Sequence, residues 1–271
     1  MKQLTLPNGE CIYYIDRMTA EYVYEEIFIE NVYLQDGINV KDNDLIFDVG
    51  ANIGLFSRYI SQKASNLKIF TFEPIPDIFN ILEANLKNIN AYIKNYNIGL
   101  GDKEEKIEFF YYPKVSADST AVPFDWNKKI ELYLENYEDV ICNDYPAARN
   151  VPESSRKGFV EKILKYLYRS KKIIGTIRPL SDIIKENNID KIDLLKIDAE
   201  NYEKQVLAGI RNEDWDRIKQ ISMEVHEHIK GGENLLKEMS KSLKKRGFEI
   251  GIGKESRETK MGVYMLYAKK K

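Results

Sequence analysis

A strand that runs into a glycine turn, followed one helix later by a second strand ending on a carboxylate, restricts this chain to few folds. Residues 45–54 read Leu-Ile-Phe-Asp-Val-Gly-Ala-Asn-Ile-Gly, and residues 67–74 read Leu-Lys-Ile-Phe-Thr-Phe-Glu-Pro. This is the layout of a nucleoside-binding crevice at the carboxyl ends of strands in an open α/β sheet. Gly50 lets the chain turn sharply, and Gly54 lets a ligand and the next helix approach the backbone. Glu73, at the end of the second strand, is placed to accept both hydrogen bonds of a ribose diol.

The spacing of the glycines selects the nucleoside. Dinucleotide sites use G-x-G-x-x-G so that backbone amides reach a pyrophosphate. Here the middle glycine is missing and Asp48 precedes the first one. A carboxylate there repels phosphate and suits an amino-acid ammonium group. The ligand that combines a ribose with an amino acid and carries no phosphate is S-adenosylmethionine. Asp48, Gly50, Asn52 and Gly54 are the candidates for its methionine half, Glu73 for its ribose. A plain strand–turn–helix capped by Asp48, and a helix-terminus carboxylate at Glu73, explain the same residues without a ligand. A nicotinamide oxidoreductase is disfavoured by the missing glycine.

Apolar strands alternate with helices from Leu45 onward, which predicts a doubly wound parallel sheet. Strands are expected at 45–49, 67–72, 92–96, 107–112, 173–177, 193–197, 220–225, 248–252 and 263–268. Residues 1–44, with the turn Pro7-Asn8-Gly9 and an aromatic stretch at 22–28, form an N-terminal cap. Between about 113 and 172 the pattern breaks into a Tyr-, Asp- and charge-rich stretch with one amphipathic helix at 159–167. A structureless connection of that length is unusual in a compact domain, so an inserted lid or a dimerisation arm is expected.

The 271 residues carry a net charge of -2, which gives no electrostatic reason to expect a nucleic-acid partner. Short basic clusters, Lys244 to Arg246 and Lys269 to Lys271, read as solvated charges. No apolar run spans a bilayer, the N-terminus lacks a signal-peptide core, and Cys11 and Cys142 have no metal-type spacing. A cytoplasmic protein with free thiols and no membrane partner is expected, with a homodimer left open.

Two further strand ends carry chemistry. Asp198 and Glu200 follow the strand at 193–197, where ligands bind in open sheets. Lys196 shares a pleat face with Asp198, so an internal ion pair is the bland alternative to orienting a substrate hydroxyl or a sulfonium. Ser222, Glu224, His226 and His228 fall two apart at the next strand end and share one face if the chain stays extended. Methylating an alcohol requires proton removal as the oxygen attacks, and a neutral imidazole suits that near neutral pH. The sequence therefore nominates His226 as general base and Glu224 as the acid that orients its ring. A rival is a divalent metal, such as magnesium, held by Asp198, Glu200, His226 and His228.

In order along the chain, D-V-G-A-N-I-G (48–54), F-E-P (72–74), N-I-G-L-G-D (97–102), L-K-I-D-A-E-N (195–201) and M-E-V-H (223–226) resemble the FkbM family of S-adenosylmethionine-dependent methyltransferases. The resemblance covers about Pro7 to the C-terminus, apart from a longer insertion. It implies a class I methyltransferase fold, Rossmann-like, with seven strands of which the last is antiparallel. It also implies O-methylation of a small molecule or natural-product intermediate: a sugar, polyketide or peptide, free or carrier-tethered. Asn97 and Asp102 would then line the adenine pocket. The family usually has glycine where this chain has Asn201, a left-handed or turn position that asparagine tolerates. N-methylation of an amine, or a non-catalytic cofactor-binding subunit, are the alternatives.

Overall fold

The strands form where β-branched and aromatic residues run together with both sheet faces to be covered. The structure, a computed structural model, describes residues 1–228 and 232–270, so Lys271 of the basic tail lies outside the described residues. The N-terminal cap begins with a hairpin of β1 (Lys2–Thr5) and β2 (Cys11–Tyr14), turning at Pro7–Gly9. A helix, Arg17–Tyr24, follows; its N-terminus is closed by the Asp16 carboxylate, which accepts from the Thr19 amide at 2.8 Å.

The main sheet is built from β3 (Leu45–Val49), β4 (Lys68–Phe72) and β5 (Tyr92–Tyr96), then β9 (Leu194–Ile197), β10 (Gln220–His226), β11 (Phe248–Ile252) and β12 (Val263–Lys270). The spatial order is β11-β12-β10-β9-β3-β4-β5. Pairings from β10 through β5 are parallel, while β12 runs antiparallel to both β10 and β11. That is the seven-stranded class I methyltransferase arrangement. The order reverses between β3 and β9, and a crevice opens there at the carboxyl ends.

Alternation along the strands splits the core in two. Phe47, Val49, Leu195, Ile197, Met223 and Val225 face one way, against helices carrying Leu180, Val206 and Leu243. Ile46, Ile69 and Leu194 face the other way, against the N-terminal cap and the helices Leu55–Ile60 and Pro76–Leu86. The residues between these apolar positions on the second face include Asp48, Thr71, Lys196, Ser222, Glu224 and His226, all buried. One pleat face is therefore apolar across β3, β9 and β10, and the other turns polar toward its carboxyl end.

Three short strands form a separate sheet, in the order β6-β8-β7: β6 (Gly99–Leu100), β7 (Glu105–Tyr111) and β8 (Lys171–Arg178). The segments expected at 107–112 and 173–177 belong here, with β7 and β8 antiparallel. Tyr111 stands opposite Lys171 in their register, so the residues between them leave and return through adjacent positions. This insertion holds two substantial helices, Trp126–Glu135 and Glu153–Leu167, where the sequence indicated one. It has an apolar cluster of its own, with Tyr112, Phe124, Ile141, Val160, Leu164 and Tyr168. Cys11 and Cys142 are free thiols, and no helix among the described residues is long and apolar enough to cross a membrane.

Candidate active site

The parallel register builds a polar row across the sheet: Thr71 beside Asp48, Asp48 beside Lys196, Lys196 beside Ser222. Asp48 is fully buried, accepting from Ser57 Oγ at 2.7 Å with its other oxygen 3.4 Å from Lys196 Nζ. It does not line the cavity; its two oxygens are turned to Ser57 and Lys196. Lys196 Nζ also donates to the Gly50 carbonyl at 2.9 Å and to Asp198 Oδ2 at 3.3 Å, so the internal ion pair is present. Burial works against this charge, but Asp198, Asp48 and Glu224 hold the ammonium above its ordinary value.

Gly50 has φ +69°, and an added Cβ would collide with the Asp198 carbonyl. The β3 turn and the loop after β9 can therefore meet only through a glycine. Asn52 is left-handed at φ +47°, and Gly54 begins the helix Leu55–Ile60 with Leu86 packed beneath it. Gly50 and Asn52 line the cavity; Gly54 does not. Asn201 takes the left-handed conformation at φ +73°, as the family comparison at that position allows.

Above the row lies a cavity of about 830 Å³, within the range of sites that take drug-sized ligands. Its floor is made by the strand ends, with Glu73, Asp198, Glu224 and His226. Glu26 and Tyr33 of the cap close one side, and Phe124, Lys129 and Tyr168 of the insertion close another. Thr120 Oγ1 donates to the Glu200 carbonyl at 2.5 Å, tying the insertion to the loop after β9. Asn97 and Asp102 do not join the lining: both are exposed, and the Asn97 amide donates to the Glu73 carbonyl at 2.9 Å.

Glu73 is 5% exposed and accepts from the Ile75 amide at 2.9 Å. Burial pushes its carboxyl up to about 7, against the pull of the Ile75 and Asn52 amides. At the other end of the cavity, His226 Nδ1 is 2.9 Å from Glu203 Oε1, and Nε2 is 3.6 Å from Glu200 Oε2 and 3.7 Å from Glu224 Oε2. Burial disfavours the imidazolium, but Glu203 and Glu200 overcome it and hold His226 well above its ordinary value. Burial and the neighbouring Asp198 push Glu224 up to about 7. Burial, with Asp118 and Asp198 adding to it, raises Glu200 as well, against His226.

Tyr33, which the sequence did not single out, donates to Glu224 Oε1 at 2.6 Å and lies 3.1 Å from Asp198 Oδ2. Glu203, also missed, begins the helix Glu203–Ala208 and is fully buried. His228 lies just past β10, its ring 5.9 Å from that of Phe124 and 5.4 Å from that of His226. Neither of its ring nitrogens has a hydrogen-bond partner. Burial, His226 and the lysines Lys128 and Lys129 push it down to about 2, so it is neutral. The alternative metal set does not converge, and among the described residues no group of three or more such side chains is placed to hold an ion.

Comparison with known proteins matches these features to one family. The description "Methyltransferase FkbM domain" fits residues 48–250. The chain is 32% identical over 94% of its length to the AMB antimetabolite synthetase AmbE of Pseudomonas aeruginosa, but spans only 12% of that protein. It is 31% identical to the 31-O-demethyl-FK506 methyltransferase FkbM of Streptomyces tacrolimicus, covering 84% of this chain and 82% of the relative. It is 29% identical to the methyltransferase sdnD of Sordaria araneosa, with 88% and 85% covered. With the strand order, the crevice at the β3–β9 reversal and the matched segment all agreeing, the chain belongs to the FkbM methyltransferase family, whose cofactor is S-adenosylmethionine.

Proposed function

We propose that this enzyme methylates a hydroxyl group on a small molecule or natural-product intermediate. The observation that carries the reading is the array Glu203–His226–Glu224, buried at the end of β10 and opening on a cavity whose opposite end holds Glu73. An alcohol needs a proton acceptor as it attacks, and this array supplies one beside the space where a substrate fits. Similarity to an enzyme named for a 31-O-demethyl substrate supports oxygen as the target.

The residues fit the cofactor by their chemistry. Glu73 offers a buried carboxylate to a diol, and the carboxylates around Asp198 suit a positive charge. When bound, S-adenosylmethionine supplies an electrophilic methyl on a sulfonium. The chain's own part is to orient the acceptor, exclude water beneath the insertion and hold the proton. The acceptor is free or carrier-tethered; the match to one segment of a much longer synthetase fits a place in multi-step assembly.

Calorimetric titration of S-adenosylhomocysteine, then turnover of a panel of hydroxylated and amine acceptors with the methyl located by NMR, tests the reading. Methyl groups found only on nitrogen would replace it with the second reading, N-methylation. That reading is favoured by the acidic lining of the cavity, with Asp198 at its floor, which would also bind an ammonium group.

A further inference from the structure

We infer that Glu224, through Oε2, takes the proton of the acceptor hydroxyl, and that His226 serves as its fixed positive neighbour. This rests on the O-methylation reading and reverses the roles that the sequence suggests for the two residues. The argument starts from which atoms are free. His226 Nδ1 is engaged by Glu203 at 2.9 Å, its ring is 2% exposed, and its Nε2 points between two carboxylates. Burial works against the second proton, but the acidic groups on both sides of the ring hold one on each nitrogen, so it has no lone pair to offer. Glu224 is different. Its Oε1 is fixed by the Tyr33 hydroxyl at 2.6 Å, while Oε2 stands 3.7 Å from His226 Nε2, beyond hydrogen-bond length. That oxygen keeps its acceptor capacity and belongs to a side chain lining the cavity.

The charges facing Glu224 set when it can act. Asp198 from the loop after β9 and Glu26 from the cap oppose its ionisation, with Glu200 on the far side of His226. Lys196 from β9, the Tyr33 hydroxyl from the cap and His226 on its own strand favour it. Tyr22 of the cap and Tyr267 of β12 also sense its charge. Burial leads, and the balance leaves Glu224 near 7, matched to a base working at neutral pH.

The step balances. The acceptor O–H bond breaks and its proton joins Glu224 Oε2, converting carboxylate to carboxylic acid. The oxygen pair forms the new C–O bond to the methyl carbon, and the C–S pair stays on sulfur, leaving a neutral thioether. One negative and one positive charge vanish together in a water-poor site. The carboxylic acid then returns its proton to solvent as the site opens.

The test uses the full chain, Glu224→Gln and His226→Gln, with S-adenosylhomocysteine titration as the check that each variant is folded. In wild type, methylation of the panel's best hydroxyl acceptor rises with pH to a plateau, with its midpoint near 7. Glu224→Gln abolishes that rise and lowers the plateau by about 100-fold or more. His226→Gln moves the midpoint upward, because a positive neighbour is gone, and keeps the plateau within about 10-fold. The opposite pattern, with Glu224→Gln active and His226→Gln dead at every pH, overturns the inference while leaving O-methylation standing. The two histidines also allow an assay that needs no acceptor. NMR of histidine-labelled protein bound to S-adenosylhomocysteine should show His226 protonated through pH 8. A His226 midpoint at or below its ordinary value of 6.5 overturns the assignment by itself.

Discussion

Glu73 links stability and cofactor binding with opposite signs. Its folded value, about 7, lies above its ordinary 4.5, so the folded state holds the proton more tightly than the unfolded chain. Below 4.5 both states are protonated and nothing is lost. Between 4.5 and 7 folding stability falls as pH rises, and above 7 the full penalty stands, on the order of 3 kcal/mol. Accepting two ribose hydroxyls needs the ionised form, so cofactor affinity should weaken as pH falls below 7. Glu73→Gln keeps an acceptor for the Ile75 amide but removes the buried charge. It should raise the urea midpoint of the free protein at pH 8 and weaken S-adenosylhomocysteine binding by about 10-fold or more. A variant that loses both stability and binding would contradict this account. His228 poses the complementary case, since both of its nitrogens are unpaired. His228→Leu keeps the apolar contact with Phe124 and should gain about 1 kcal/mol in urea titration. The same variant should raise the acceptor KM while leaving S-adenosylhomocysteine affinity unchanged. A loss of stability would mean that the ring is satisfied in solution. Of these residues, Glu73 was legible because it ends an apolar strand before Pro74. Tyr33 was not, because Asn31 to Leu34 carry no periodic signal and only the chain's return over the sheet brings the hydroxyl to Glu224.

At the scale of elements, the site is the polar half of one sheet face, positioned by the junction between the β3 turn and the loop after β9. The register that pairs Asp48 with Lys196 forces Gly50 against the Asp198 carbonyl. Gly50→Ala meets both a left-handed φ and a backbone collision, so it should cost about 3 kcal/mol or more and lower cofactor affinity with it. Gly9→Ala is the control: its φ is +88°, but nothing lies within 4 Å of the added Cβ, so about 1 kcal/mol of strain is all it should show. Equal urea midpoints for the two variants would mean that the junction yields. The strand pattern was readable because both faces of a parallel sheet demand apolar residues, and the polar exceptions at Asp48, Lys196 and Glu224 then stand out. The Lys196–Asp198 pair was readable from their shared pleat face, but the pairing of Asp48 with Lys196 and of Glu224 with Tyr33 was not. Asp48 is taken up by Ser57 and by Lys196 on the adjacent strand, a fact of register between strands nearly 150 residues apart.

For the whole molecule, the question is which cover belongs to which ligand. The insertion has its own apolar cluster and joins the rest through β7 and β8, through Thr120 on Glu200 and Phe124 on His228, through Ser116 on Asp16, and through Asp144 and Asp139 paired with Arg257 and Lys260. Its helices lie between residues with no regular alternation, which is why the sequence showed that something is inserted but not how it folds. The Thr120 and Phe124 contacts touch the end of the cavity where proton transfer is placed, while Glu73 and Gly50 mark the other end. The Asp144–Arg257 and Asp139–Lys260 pairs are solvent-exposed and contribute little. A unit held mainly by its own small apolar cluster should therefore open locally at lower free energy than the sheet. Hydrogen exchange of the free protein should therefore show the helices Trp126–Glu135 and Glu153–Leu167 exchanging before β3, β9 and β10. At about 100 times its dissociation constant, S-adenosylhomocysteine adds about 2.7 kcal/mol to any opening that releases it. Amides of residues 49–54, in the β3 turn, should then slow by up to about 100-fold. Those of the insertion should slow far less on the reading that this element covers the acceptor rather than the cofactor. Equal protection of both would place the cofactor under the insertion and move the acceptor site toward the cap, where Glu26 and Tyr33 would become its nearest groups.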